Sequence, residues 1–205
     1  TYPHFFRNFE LFIGRIYRYF LNDGSLNITL SGYDKIDTAY RYIEDKNLSK
    51  IRVNDPLFLM SNNVIGDYDP ENANTPTNEE WGEEQNGIDI DGKLYNVRIK
   101  FSKATKDLRK SLKERYGKEP GSTKLGELYG KNMGISLIRA GRELKLSDFG
   151  FISERSEQTQ RWWSAEVEFQ PDLDDLFGVT FDKQEAKAFR KIEKEEYRED
   201  LSDAD

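Results

Sequence analysis

Between residues 5 and 21, Phe5, Phe9, Phe12, Ile13, Ile16 and Phe20 recur at helical spacing, and Asn22-Asp23-Gly24 supplies a C-terminal stop. The pattern predicts an amphipathic helix with a wide buried face. Leu26, Ile28 and Leu30 then alternate with polar residues as far as Ser31-Gly32, which predicts a strand. A short helix is expected over 38–44. Residues 51–60 read as a strand region broken at Asp55-Pro56, because proline cannot donate a ladder hydrogen bond.

Residues 66–86 hold Pro70, Pro76, several Asn and five Glu with almost no aliphatic side chains, the composition of a long, flexible, exposed loop. The clearest hairpin follows: Ile88 and Ile90, an Asp91-Gly92 turn, then Tyr95, Val97, Ile99 and Phe101 in strict alternation. Over 103–116, Leu108, Leu112 and Tyr116 form one stripe among many Lys and Arg, predicting a surface helix with a basic outer face that closes at Gly117. The glycine-rich, charged stretch 117–130 reads as a second flexible loop.

A strand, turn, strand unit is expected through Ile135, Leu137, Ala140-Gly141 and Leu144, and a further strand over 161–169. In that strand Trp163, Ala165, Val167 and Phe169 share one face, and Trp162, Ser164, Glu166 and Glu168 the other. A last helix is signalled by Asp182 as N-cap with Glu185 three residues on, followed by Ala186, Phe189 and Ile192. Residues 198–205 read as an acidic tail. Together the elements give one α+β domain over 1–197, a mixed, largely antiparallel sheet with helices on one face.

Composition narrows the chemistry. Thirteen Phe and eleven Tyr imply a packed interior despite 34% charged residues. The absence of Cys excludes disulfides, thiolate metal sites and a cysteine nucleophile, and a single His removes most zinc and Ser/His/Asp chemistries. No run approaches the roughly 18 apolar residues of a membrane span, and no signal peptide is visible, so no membrane partner and a cytoplasmic location are expected. The net charge of -7 argues against a surface broadly committed to nucleic acid. The opening Thr1-Tyr2-Pro3-His4, without an initiator Met, reads as a chain cut at a domain boundary.

Four features are candidates for function. Trp162 and Trp163, adjacent on a strand, face opposite sides and read as packing rather than one stacking platform. The basic helix reads as a solvated face, since Asp107 and Glu114 interrupt it. Asp172, Asp174 and Asp175 after Pro171 read as the first turn of a short helix and not as a metal site. In Gly178-Val179-Thr180-Phe181-Asp182-Lys183-Gln184, a lysine follows the expected N-cap, where the helix dipole disfavours a cation. A helix N-terminus with an added ammonium is suited to phosphate.

The run from Asn132 to Leu144, including Ile135-Ser136-Leu137-Ile138-Arg139-Ala140-Gly141-Arg142-Glu143, resembles the strand, turn, strand segment of transducer domains in GHKL-type ATPases, the class of gyrase B, MutL and MORC-like proteins. Arg161-Trp162-Trp163 through Phe169, then Leu176-Phe177-Gly178-Val179-Thr180 and Asp182-Lys183-Gln184, is similar to the strand and lysine loop that follow there. Asp182 stands where relatives carry Asn. Asp55-Pro56-Leu57-Phe58 also fits the start of that module.

The resemblance implies a ribosomal-protein-like transducer fold that couples nucleotide state to conformational change. It implies that Lys183 reaches the terminal phosphate of ATP, with Gln184 and Arg142 as lesser cofactor-binding candidates. ATP and Mg would be held only in the intact protein, by an upstream ATP-binding domain whose helix motif with Glu and Asn, Asp-x-Gly and glycine-rich lid are not found here. The fragment would carry no cofactor and no ATPase activity of its own, and the intact protein would be an ATPase and a homodimer. The alternative expectation is a stand-alone module binding nucleic acid or a protein partner through the basic helix.

Overall fold

A computed structural model describes residues 2–42, 49–154, 159–183 and 185–192. The chain runs α1 (Tyr2–Ile16), α2 (Arg18–Asn22), β1 (Thr29–Leu30), β2 (Tyr33–Ile36), β3 (Ala39–Tyr42), β4 (Ser49–Lys50), β5 (Asn78–Ile90) and β6 (Lys93–Ala104). It continues with α3 (Lys106–Tyr116), α4 (Lys124–Lys131), β7 (Ile135–Arg139), β8 (Arg142–Ser147), β9 (Trp163–Phe169) and α5 (Asp174–Phe177). Strands β5-β6-β9-β7-β8 form one sheet in that order, antiparallel throughout except between β7 and β9. The class is the expected one, α+β with a mixed, largely antiparallel sheet.

The Asp91-Gly92 turn is where the pattern places it, both residues at positive φ as a type I′ turn requires. Its strands are much longer than expected. The supposed loop 66–86 starts at the end of a 3-10 turn, Val64–Asp67, contains a second at Pro70–Asn72, and then holds most of β5. Its glutamates misled because a polar run reads as loop, yet an edge strand tolerates polar side chains on both faces. Lysines of the neighbouring strand meet those glutamates: Lys100 lies 3.2 Å from Glu83 and Lys103 3.5 Å from Glu79.

The second supposed loop, 117–130, contains a 3-10 turn at Pro120–Ser122 and then α4. Thr123 caps that helix by accepting from Gly126 N at 3.1 Å, and Leu125, Leu128 and Tyr129 are buried. Glycine content hid a helix whose apolar stripe is only three residues long. The helix expected over 38–44 is contradicted as far as Tyr42, because β2 and β3 form a hairpin turned at Asp37, which sits at φ 54. Residues 43–48 lie outside the described residues. The strand region 51–60 is instead a buried irregular segment, with Ile51, Val53, Leu57 and Phe58 all in the interior.

Pleating divides the interior in two. One face of the sheet carries Val97, Ile135, Leu137, Ala165, Val167 and Phe169, covered by Leu173, Phe177 and Ala186 from the C-terminal segment. Leu11 of α1, Leu108 and Leu112 of α3, and Leu125, Leu128 and Tyr129 of α4 form a second cluster with Phe58 and Trp162. Trp162 belongs to this cluster while Trp163 packs against the other, so the adjacent indoles do part. The long helices share one side, and among the described helices only the single turn of α5 lies on the other. Helix α1 is less buried than its pattern suggests, since Phe5 and Phe12 remain largely exposed. It approaches the buried segment closely at Gly14, where a Cβ would stand 2.2 Å from the Arg52 carbonyl oxygen.

The polar face of β9 is also buried, which alternation alone does not reveal. Arg18, wholly inaccessible, donates to Glu166, to Glu143 Oε2 at 3.1 Å and to Ser136 Oγ at 2.9 Å, while its Nε stands 3.8 Å from Asp55. Tyr19 donates to Glu166 Oε1 at 2.5 Å, and Arg15 to Glu143 Oε1 at 2.6 Å. Burial alone would favour a neutral Arg18, but Glu166, Glu143 and Asp55 outweigh it and raise the guanidinium above its ordinary value. Burial pushes the Asp55 carboxyl up, against Arg18 and the N–H groups of Met60 and Leu59 that it accepts from at 3.0 and 2.9 Å.

Removing one partner of a fully buried charge set is expected to cost far more than removing one of a half-exposed pair. Arg18→Met should lose about 3–5 kcal/mol in urea unfolding, since three carboxylates stay buried without their cation. Arg98→Met, which breaks the pair with Glu168 where both side chains are 32% exposed, should lose no more than about 1 kcal/mol. Equal losses would show that burial does not set the cost.

A second expectation concerns acid. Asp69 is buried and accepts from Arg115 twice at 2.8 Å and from Asn72 at 2.6 Å, bonds that hold its carboxyl below the usual value although desolvation opposes them. A depressed native pKa contributes stability that is present above the unfolded value, about 3.9, and lost as pH falls through the native one. The stability gap between wild type and Asp69→Asn should therefore be widest near neutrality and shrink below about pH 4. A gap independent of pH would refute the assignment.

Candidate functional site

The turn between β7 and β8 and the segment after α5 meet at one end of the parallel pair β7 and β9. Gly178 starts that segment at φ 62, where a Cβ would stand 2.9 Å from Ala188 N, so neither the conformation nor the space admits a larger residue. Val179 bridges Ala186, Thr180 N donates to Glu185 O at 3.0 Å, and Lys183 N donates to Thr180 O at 2.8 Å. The result is a closed loop and not the helix expected from Asp182 onward. Thr180 Oγ1, and not Asp182, accepts the Glu185 N–H, at 3.2 Å, and Asp182 instead accepts from Thr180 at 2.6 Å.

The three-residue spacing of Ala186, Phe189 and Ile192 suggested helix. In the folded chain Ala186 and Phe189 reach the sheet's apolar cluster from a bridged turn. The phosphate pocket envisaged at a helix N-terminus therefore does not exist here, and Lys183 owes its position to the loop. Lys183 adopts φ 56, a left-handed conformation that costs a non-glycine residue on the order of 1–2 kcal/mol. Gln184 lies outside the described residues, as do 193–205 with the expected acidic tail.

Two of the three residues that the resemblance singles out are in contact. Arg142 Nη2 donates to the Lys183 carbonyl at 3.1 Å across 41 residues of chain. The Lys183 ammonium is 2.9 Å from Asp174 Oδ2, and Arg139 donates to both oxygens of Asp174 at 2.6 and 2.8 Å. Arg139 and then Lys183, working against some desolvation, hold the Asp174 carboxyl below its ordinary value. Asp174 and Arg139 are the members that sequence reading missed. Asp174 was seen only as an acid in a helix's first turn, which it also is.

Two cations, Arg139 and Lys183, thus share the Asp174 carboxylate, and a third, Arg142, lies against the backbone of the same loop. Lys183, with its side chain 41% exposed, is the most accessible of the described ion pair, and Phe181 beside it in the loop is fully exposed. A cleft of about 310 Å³ adjoins the same turn through Ala140 and is lined also by Gln85, Asn96, Gln170 and the Arg98–Glu168 pair. The arrangement suits recognition of an anion. Among the described residues no group of three or more His, Asp or Glu side chains is placed to hold a metal ion.

The basic helix is α3, closed by Gly117 as expected, but it starts only at Lys106 with Thr105 as its cap, since Lys103 and Ala104 belong to β6. Its charge is partly neutralised, Lys113 by Glu119 at 2.7 Å and Lys110 by Glu114 at 3.8 Å. No described helix is long and apolar enough to cross a membrane.

No protein-family model, curated protein or solved structure matches this chain.

Proposed function

We propose that the chain is the transducer-type module of a GHKL-type ATPase, in which Lys183 brings positive charge to the terminal phosphate of ATP held by a neighbouring nucleotide-binding domain. The observation that supports this most is the contact between Arg142 and Lys183, which the resemblance marked in separate stretches of sequence. A strained backbone at Lys183 adds to it, since such conformations gather at functional sites. Magnesium belongs with the nucleotide in that neighbouring domain. A preorganised cation aimed where charge develops in phosphoryl transfer is the contribution this module makes. Gln184 serves the same phosphate through its amide, Arg142 holds the loop backbone, and dimerisation and a cytoplasmic location follow from the same reading.

Lys183→Ala in this chain should change stability by no more than about 1 kcal/mol, because the ion pair it removes is partly exposed. In the ATPase that joins the chain to a nucleotide-binding domain, the same change should lower turnover about a hundredfold or more. The chain alone should show no saturable ATP binding at micromolar concentration by calorimetry. An unchanged turnover would return Lys183 to the role of a loop residue paired with Asp174.

A further inference from the structure

We infer that a second cavity, remote in sequence from Lys183 and independent of the ATPase reading, binds a small ring-bearing anion. It encloses about 250 Å³ between the two 3-10 turns of 64–72 and the connection from α3 to α4. Tyr68, Pro70 and Tyr116 supply flat apolar walls, and Lys118, Thr123, Lys124 and the Arg52-paired Asp67 supply the polar side. The Tyr116 hydroxyl donates to Asp69 at 3.3 Å, which fixes that ring, and the Arg7 guanidinium lies 4.9 Å from the centroid of the Tyr68 ring.

The charge balance around this cavity points to the ligand. Asp69 and Glu71 are both taken by Arg115 at 2.8 Å, Asp67 by Arg52, and Glu119 by Lys113 at 2.7 Å. Each of these acids has a cationic partner, although Arg115 answers two carboxylates and Arg52 pairs Glu10 as well as Asp67, and neither Lys118 nor Lys124 forms an ion pair among the described residues. Lys124 also opens α4, where the helix dipole opposes a cation. An anionic group seated between the two ammoniums relieves both conditions, and its ring fits the slot between the tyrosines and Pro70. The volume falls below the roughly 300–1,000 Å³ of drug-sized pockets, which limits the occupant to about one ring with one acidic group. The class is an aromatic carboxylate or an aromatic phosphate monoester.

Titration followed by amide NMR, with phenyl phosphate, benzoate and inorganic phosphate as probes, tests the site and separates the two acid groups. Saturable shifts at Tyr68, Tyr116 and 118–124 are expected with phenyl phosphate or benzoate. The double variant Lys118→Gln/Lys124→Gln should weaken that binding at least about tenfold, the worth of roughly one charge-assisted hydrogen bond. Both lysines are exposed, so the variant should keep the wild-type spectrum elsewhere. Tyr116→Leu, which keeps an apolar wall but no ring, should weaken the aromatic probes and leave inorganic phosphate unaffected. Absence of saturable shifts with both aromatic probes, undiminished binding by the double lysine variant, or inorganic phosphate binding as tightly as phenyl phosphate would each overturn the proposal.

Discussion

A guanidinium removed from water is costly unless its charge and donors are met, and Arg18 is removed completely. Everything around it follows from meeting that demand. Glu166 must face it from the middle strand, Glu143 from the edge strand and Asp55 from the irregular segment, so one side chain dictates how helix, sheet and loop are placed together. Apolar packing would tolerate small shifts of α2 over the sheet. A charge set with hydrogen bonds of 2.5 to 3.1 Å does not, because each misplacement strands a buried ion.

That constraint reaches the candidate site through neighbouring residues of β8. Glu143 points inward to Arg15, Arg18 and Ser136, and Arg142 immediately before it reaches the carbonyl of Lys183. The strand therefore has its first turn locked from inside while its outer side steadies the lysine loop. From the other direction, Arg139 closes β7 and grips Asp174, so arginines flanking one tight turn hold both α5 and the middle of the lysine loop.

Periodicity made the hairpin at Asp91-Gly92, the strand pair β7 and β8, strand β9 and helix α3 legible, since each carries its own regular pattern. The elements that escaped depend on partners far along the chain. β5 is a strand because lysines of β6 answer its glutamates, and α4 is a helix because Tyr129 stacks on Phe58 at 3.8 Å. Glu166 reads as a solvent-facing strand residue until Arg18, 148 positions earlier, is brought against it. At the site, Lys183 and Arg142 were visible from the resemblance, but the loop was mistaken for a helix because Ala186, Phe189 and Ile192 have helical spacing. Asp174 and Arg139 bear no local sign of their role, which exists only once β7 and α5 adjoin.

The ion pair between Lys183 and Asp174 gives the loop an electrostatic character that a bare lysine would lack. Asp174 is a fixed internal anion, anchored by two bonds from Arg139 and only 16% exposed, whereas Lys183 is tethered to it by a single contact. Under the proposed function, an incoming phosphate, carrying more negative charge than one carboxylate, would recruit the ammonium while Asp174 stays neutralised by Arg139. The cost of that exchange is small because the pair is partly hydrated already. The loop backbone need not move with the ammonium, for Arg142 and the Thr180–Glu185 bonds hold it in place. In the proposed ATPase the strain at Lys183 would be maintained by the surrounding fold, and its long side chain would turn from Asp174 toward the phosphate.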